Sequence, residues 1–465
     1  QSSERSEKRI PTVSTRLRDG SLVEMLYDPS AERTAFAVWK SDQWRIELDV
    51  KNGESEILVP FSARNNLIHN DVILLPSGVE EYGPEEQLQE AEQDFIHRYV
   101  DVSPLFEKIA SYYVLFSWVH DAFNELPYLR LKGDPGSGKT RFLLAVGSLC
   151  YKPIFASGAS TISPIFRILD AFRGTLIIDE SDFRQSDERA ETVKILNNGN
   201  VKGFPVLRSE ASVTGKEFNP RAYHVFGPKI VATRQFFEDR ALESRFFTED
   251  MGRRPLREEI PISLPDAHRE EARRLRNKLL LFRFRNLHRS KAESGLVDRS
   301  IEPRLNQIFI PLLSIIQDEK TREDIRDLAR TYNRQMVADR GLDSEAQVLE
   351  SIQILRSMGS RLSIKSISDA FAEQYGADYE RKITPKWVGG VIRNKLHLRT
   401  QKSDGIYIIP DTEEPQLQRL FQRYGLTGGT SPESPASPEV HSSDLNPSSQ
   451  PPPASPDVPP SPLPG

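Results

Sequence analysis

Apolar and polar positions change their period several times along the chain, and the changes mark out its elements. Residues 22–75 read as β-rich. Runs at 34–39 and 44–50 have the aliphatic and aromatic content of strands, residues 40–43 form a polar turn between them, and Asn52-Gly53 is a strong turn signal. From 84 to 124 apolar residues recur at three- and four-residue spacing, which predicts helix, with Ser103-Pro104 as a helix start. Residues 126–132 return to a strand pattern and 141–147 to an apolar helix. Residues 175–180 are an apolar run ending in Asp179 and Glu180, as suits the central strand of a parallel sheet. A helix is expected over 190–197, strands over 201–208 and 222–226 around a polar stretch, and a further strand over 229–233.

Long helices rich in basic and apolar residues follow at 264–289 and 304–316. Further on, residues 369–375 and 384–395 predict two short helices, the second opened by Thr384 as N-cap and Pro385 as first helical residue. Strands are expected at 397–400 and 406–409, joined by the tight turn Ser403-Asp404-Gly405. Beyond Thr427 proline, serine and glycine dominate and large apolar residues are nearly absent; such a segment cannot bury a core and is expected to be disordered.

The 465 residues suffice for two to four domains. Hydrophobic content of 37% and charged content of 28% fit a soluble protein. The net charge of −5 means that any nucleic-acid footprint must be local. Cys150, the only cysteine, excludes intramolecular disulfides and cysteine-rich zinc sites, and its apolar context suggests core. No apolar run approaches the length of a membrane span and no signal-peptide pattern is present, so the expected location is cytoplasmic with no membrane partner.

The candidate chemistry begins with Gly133, Asp134, Pro135, Gly136, Ser137, Gly138, Lys139 and Thr140, which fit G-x-x-x-x-G-K-[ST]. The glycines let backbone N–H groups wrap phosphate oxygens, Lys139 reaches β- and γ-phosphates, and the Thr140 hydroxyl ligates Mg²⁺. The strand before the loop and the helix after it supply the context the motif requires. Asp179 is the second expected Mg²⁺ ligand, and Glu180 the base that orients and deprotonates an attacking water. Thr233, ending its strand, is placed to contact the γ-phosphate or that water.

With Asp239-Arg240-Ala241-Leu242-Glu243-Ser244-Arg245-Phe246 the chain resembles an AAA+ ATPase over residues 125–335. That family has, in order, a phosphate loop, an acidic strand end, a polar strand end called sensor 1, and an arginine finger. The resemblance implies Thr233 as sensor 1 and Arg245 as a finger reaching the neighbouring subunit's site, with Arg240 and Arg234 as rivals in the same stretch. It also implies ATP and Mg²⁺ as cofactors, a hexameric ring, a helical lid and a sensor 2 arginine, for which Arg304 is the candidate. The strands inserted before sensor 1 resemble the pore hairpin of superfamily 3 and MCM helicases, where Lys202, Phe204, Lys216 and Arg221 would meet a nucleic-acid backbone.

Residues 363–410 resemble a winged-helix DNA-binding domain, whose second helix enters the major groove. From Arg381 to Lys402 there are seven basic residues (Arg381, Lys382, Lys386, Arg393, Lys395, Arg399 and Lys402) and no acidic one, the local excess DNA binding requires. The expected fold class is α/β, an AAA+ P-loop core of parallel sheet with flanking helices. Its segments are an N-terminal β-rich module (1–84), a helical lead-in (85–128), the core (129–262), a lid (263–340), a winged helix (345–412) and a disordered tail (413–465) available to a replication partner. The reading is an oligomeric ATPase motor on DNA, resembling helicase-like replication ATPases of phages, plasmids and integrated elements. A loader that remodels a protein and an ATP-switched DNA-binding regulator are the alternatives.

Overall fold

The computed structural model describes residues 7–157, 162–179, 186–211, 218–237, 239–252, 256–341, 344–376 and 383–426, with the side chains of 186–189, 210–211, 218–219 and 337–341 left aside. It divides into two compact units, Gln1–Met336 and Val337–Gly465.

The first unit opens with seven strands in two sheets. Strands β2 (Ser14–Arg16), β3 (Leu22–Asp28), β4 (Arg33–Lys40) and β5 (Gln43–Glu47) form an antiparallel meander, and β1 (Lys8–Thr12), β6 (Val50–Lys51) and β7 (Glu56–Pro60) form the second sheet in the order β1-β7-β6. The run expected at 44–50 is therefore two strands in different sheets. Trp39 is buried and stacks on Phe284, with ring centroids 5.5 Å apart. Trp44 is 45% exposed on the edge strand β5, where among the described residues no further strand covers it.

This β module does not stand apart. Buried Glu24 of β3 accepts from the Tyr151 hydroxyl at 2.8 Å and the Arg283 Nε at 2.7 Å, and pairs with Lys152 Nζ at 3.1 Å. Arg283 also donates to both Asp121 carboxylate oxygens at 2.8 Å. Breaking one member of such a buried charge set strands the others in a poorly hydrated interior, so the cluster binds the module to the rest of the unit.

After α1 (Asn66–His69) come α2 (Glu85–Tyr99) and α3 (Pro104–Val119). Ser103 caps α3 by accepting from Phe106 N, with Pro104 at the first helical position, as its sequence predicts. Strand β8 (Tyr128–Lys132) and α4 (Lys139–Leu149) flank the glycine loop. They are followed by β9 (Ile154–Ser157), α5 (Ile162–Phe172), β10 (Leu176–Asp179), α6 (Ser186–Asn198), β11 (Val206–Ala211), β12 (Phe218–Tyr223), β13 (Lys229–Thr233), α7 (Arg240–Glu243) and β14 (Phe246–Asp250). Five of these strands form one sheet in the order β14-β8-β13-β10-β9, every pair parallel. The class the fold defines is thus α/β with a parallel five-stranded sheet.

The strand period sorts β8 between two cores. Leu129 and Leu131 join Phe142 and Val146 of α4, while Tyr128 joins Ile165 and Phe166 of α5 on the other face. Parallel strands need helical crossovers, and the helices they bring bury both faces of the sheet.

Helix α8 (Ala267–Asn286) sends Leu275, Leu279, Leu280 and Phe284 into the main core beside α3 and α4. Two of its arginines are buried: Arg283 in the Glu24 cluster and Arg276, whose Nη1 donates to the Ser148 carbonyl at 2.8 Å. Helices α9 (Pro303–Leu313) and α10 (Glu319–Gly341) follow.

The second unit contains α11 (Ser344–Ser357), α12 (Ile364–Tyr375), α13 (Pro385–Gly390) with a wider helical turn at Val391–Lys395, the hairpin β15 (Gln401–Ser403) and β16 (Ile406–Ile408), and α14 (Glu414–Arg423). Its core includes Leu349, Ile367, Phe371, Val388, Ile392, Leu398 and Leu417. Helix α12 starts five residues before its expected position because Ser363 and Ser366 form a capping box there. The first hairpin strand lies at 401–403 rather than 397–400. His397 is left-handed at φ 53° and Leu396 and Leu398 both turn into the core, so that stretch cannot run as a pleated strand. The hairpin turns on Asp404 (φ 51°) and Gly405 (φ 82°), a left-handed pair of the kind two-residue turns need. The tail expected to be disordered lies outside the described residues.

Candidate functional site

The carboxyl ends of β8, β13 and β10 gather the chemistry. In open parallel sheets, ligands bind in the crevice at this edge. Gly136 (φ 82°) and Gly138 (φ 92°) take left-handed conformations that a side chain disfavours, and Gly138 caps the N-terminus of α4 without a side chain to occupy its N–H groups. At Gly133 the requirement is space, since an added Cβ would lie 2.8 Å from the Met251 carbonyl oxygen. The Met251 N–H in turn donates to the Lys132 carbonyl at 2.7 Å, bracing the end of β14 against the loop.

Lys139 is buried, and its ammonium donates to the carbonyls of Gly133 (2.6 Å) and Asp134 (2.7 Å). Burial lowers its pKa, Asp179 raises it and Arg234 lowers it. The Thr140 hydroxyl donates to the Asp179 carboxylate at 2.9 Å. Gly133 N–H donates to the Thr233 carbonyl at 3.2 Å, which sets Thr233 beside the loop. Its hydroxyl is buried with no hydrogen-bond partner among the described residues. Asp134, Pro135 and Gly136 are exposed and Ser137 half-buried. Glu180 lies outside the described residues.

This donor set suits a nucleoside triphosphate and Mg²⁺. The α4 N-terminus and Lys139 match phosphate charge, Thr140 and Asp179 supply two hard oxygens, and the Thr233 hydroxyl has bonding capacity to spare. Among the described residues no group of three or more His, Cys, Asp or Glu could hold a metal alone. A Mg²⁺ held by one or two protein oxygens and by substrate phosphates needs none.

Arg245 stands elsewhere. Tyr128 N–H, at the opposite end of β8 from the loop, donates to the Arg245 carbonyl at 2.9 Å. The five residues of β8 span roughly 16 Å at about 3.3 Å each, so Arg245 is remote from its own chain's loop. Its Nη1 donates to the Leu196 and Asn197 carbonyls at the end of α6, at 3.2 and 2.9 Å, and to Asn197 Oδ1 at 2.8 Å. Burial lowers its pKa, with Arg304 adding to the effect. Arg304 is thus a neighbour of Arg245. Arg304, the expected sensor 2 arginine, opens α9. Lys229 is buried and donates to the carbonyls of Val225 (2.9 Å) and Gly227 (2.8 Å). Arg234, the residue after Thr233, is exposed on the loop side.

Strands β11 and β12 pair only with each other and form no edge of the central sheet. Phe204, just before β11, is 65% exposed. Lys202, expected to contact nucleic acid, is tethered instead: its ammonium donates to the Asp121 carbonyl at 2.6 Å. Arg208 pairs with Glu191 and lies over the Phe166 ring at 3.9 Å. Arg221 is exposed beside Asp170, and Lys216 lies outside the described residues.

In the second unit Lys386, Arg393, Lys395, Arg399 and Lys402 are all exposed. Lys395 pairs with Glu345 at 3.0 Å. Lys386, Trp387, Gly390 and Asn394 line one shallow concavity of about 450 Å³, whereas Arg393 lies over Gly389. Thr384 caps α13 by accepting from Trp387 N. Arg381 and Lys382 lie outside the described residues.

No protein-family model matches the chain, and no curated protein matches it. Solved structures do. The chain is 10% identical to the A-form apo structure of the NrS-1 C-terminal region, over 83% of this chain and 96% of that one, with a TM-score of 0.36. It is 12% identical to Cdc6p from Pyrobaculum aerophilum, over 75% of this chain and 98% of that one, with a TM-score of 0.17. It is 15% identical to the Aeropyrum pernix Orc1 protein in complex with DNA, over 69% of this chain and 94% of that one, with a TM-score of 0.20. Likeness at this level assigns no activity. Among the described residues no helix is long and apolar enough to cross a membrane.

Proposed function

We propose that this chain is an oligomeric AAA+ ATPase that acts on DNA, helicase-like in the manner of the replication ATPases of phages, plasmids and integrated elements. The observation that carries the reading is the Thr140–Asp179 hydrogen bond of 2.9 Å directly beside the glycine loop. It pairs the two side chains best suited to Mg²⁺ where the loop would hold the phosphates, and bound Mg²⁺ would neutralise charge on them. Lys139 binds phosphate, Thr233 offers a free hydroxyl to the terminal phosphate or the water, and Glu180 deprotonates the water. Arg245, remote from its own loop, is the residue a neighbouring subunit's site would use. Each site is then complete only in an oligomer, with a hexameric ring as the expected form.

DNA enters through the second unit. Three helices followed by a hairpin, with exposed Lys386 on the helix capped by Thr384 and exposed Arg393 in the turn after it, support a winged-helix reading in which α13 and Lys402 of the hairpin meet the duplex. The tethering of Lys202 favours a second reading, a remodelling ATPase that holds DNA only as an anchor while working on a protein. ATP hydrolysis measured with and without single- and double-stranded DNA, beside a strand-displacement assay, separates the two. The motor reading expects DNA to stimulate turnover several-fold and strands to part. Hydrolysis indifferent to DNA, with no displacement, contradicts it.

A further inference from the structure

The segment between β13 and β14 carries three arginines that compete, in sequence, for one role. The structure separates two of them. Arg234 follows Thr233 directly at the carboxyl end of β13. That strand lies between β8, which runs into the phosphate loop, and β10, which ends in Asp179. Because Gly133 N–H donates to the Thr233 carbonyl, residue 234 leaves the sheet beside the loop's first glycine. Arg245, eleven positions on, sits at the other end of the strands with its guanidinium bound to Leu196 and Asn197.

Arg234 differs from Arg245 in a second way. It is exposed, and among the described residues no carboxylate or carbonyl engages its guanidinium. Other basic side chains around this segment are committed: Arg130 to Glu243 and Lys132 to Asp250.

We infer that Arg234 is a second phosphate-binding cation of the chain's own site, contacting the terminal phosphate of a bound nucleoside triphosphate. The inference rests on the nucleotide site proposed above and adds to it a residue, a subunit and a specificity. A guanidinium presents a planar fork to two phosphate oxygens where Lys139 offers a point charge. Lys139 reaches into the loop, whereas Arg234 leaves the strand that ends in Thr233, the residue proposed above to offer its hydroxyl to the terminal phosphate. A nucleoside diphosphate lacks that phosphate, so Arg234 distinguishes the two nucleotides while Lys139 serves both. The segment therefore supplies one arginine, Arg234, to its own site and another, Arg245, to a neighbour's.

The test measures affinity of the full chain for Mg²⁺-ADP and for a Mg²⁺-bound non-hydrolysable triphosphate, in wild type, Arg234→Ala and Arg234→Lys. Triphosphate affinity should fall about 10-fold or more in Arg234→Ala, as expected for one charge-assisted contact. ADP affinity should stay within about 2-fold of wild type, again as one contact to the absent phosphate implies. Arg234→Lys should recover part of the loss. Mixing Arg234→Ala with Lys139→Ala subunits should restore no hydrolysis, because both lesions lie in the subunit that holds the nucleotide. Equal losses for both nucleotides, or no loss, overturn the inference, and restored hydrolysis moves Arg234 to the neighbouring site. Wild-type protein that binds neither nucleotide defeats the site itself, and a thermal melt unchanged in Arg234→Ala rules out misfolding as the cause.

Discussion

Thr140 and Asp179 stand 39 positions apart in sequence and 2.9 Å apart in space, because parallel strands β8 and β10 deliver their carboxyl ends to one edge. Glu180 follows directly, and its proposed role gives a sharp expectation. In Glu180→Gln the side chain keeps its shape and loses its basicity, so nucleotide affinity should hold while turnover falls by about 10²-fold or more. Calorimetry beside a phosphate-release assay checks this, and turnover near wild type removes Glu180 from the role. The meeting of Thr140 and Asp179 was legible in the sequence because one belongs to a contiguous motif and the other ends an apolar run. Arg234, Arg240, Arg245 and Arg304 were legible as candidates, though not which of them serves which site. Which arginine meets which site depends on strand register and on where α9 packs, and one-dimensional spacing carries neither.

Lys229 opens β13, the strand that separates the loop strand from the Asp179 strand. Its buried amine fills the space left by Gly199, where an added Cβ would lie 2.3 Å from Nζ. Burial, with the nearby Arg245 charge, pushes its pKa down from 10.5 to about 7. The unfolded chain therefore holds a proton that the folded chain has released between those values, and stability rises with pH across the window. In Lys229→Met that slope is absent. From pH 7 to pH 10 wild type should gain stability relative to the variant, by up to roughly 1.4 kcal/mol per pH unit. Denaturant melts at both pH values measure it, and parallel profiles contradict it. Existence and type of most elements could be read from periodicity, and caps such as Ser103 and Thr384 marked helix starts well. Boundaries failed where tertiary packing overrode pattern. Leu396 and Leu398 alternate as strand residues do, yet both turn into the second unit's core around a left-handed His397.

Six sequence segments become two units in the whole molecule. The β module joins the core through Glu24, Arg283 and Asp121, an ion cluster assembled from three distant parts of the chain, so no window of sequence could announce it. Helix α8 joins the same core, where its buried arginines find partners. What survives at every scale is one edge of one sheet, where glycine loop, lysine, hydroxyls and carboxylate converge. The account stands on that edge being a Mg²⁺-nucleotide site. The most direct measurement is calorimetric titration of wild type and Lys139→Ala with Mg²⁺-bound non-hydrolysable ATP analogue. Loss of the ammonium should weaken binding by about 10²-fold or more, as removal of a buried charge-assisted contact implies. Affinity unchanged in the variant, or absent in the wild type, would contradict the account.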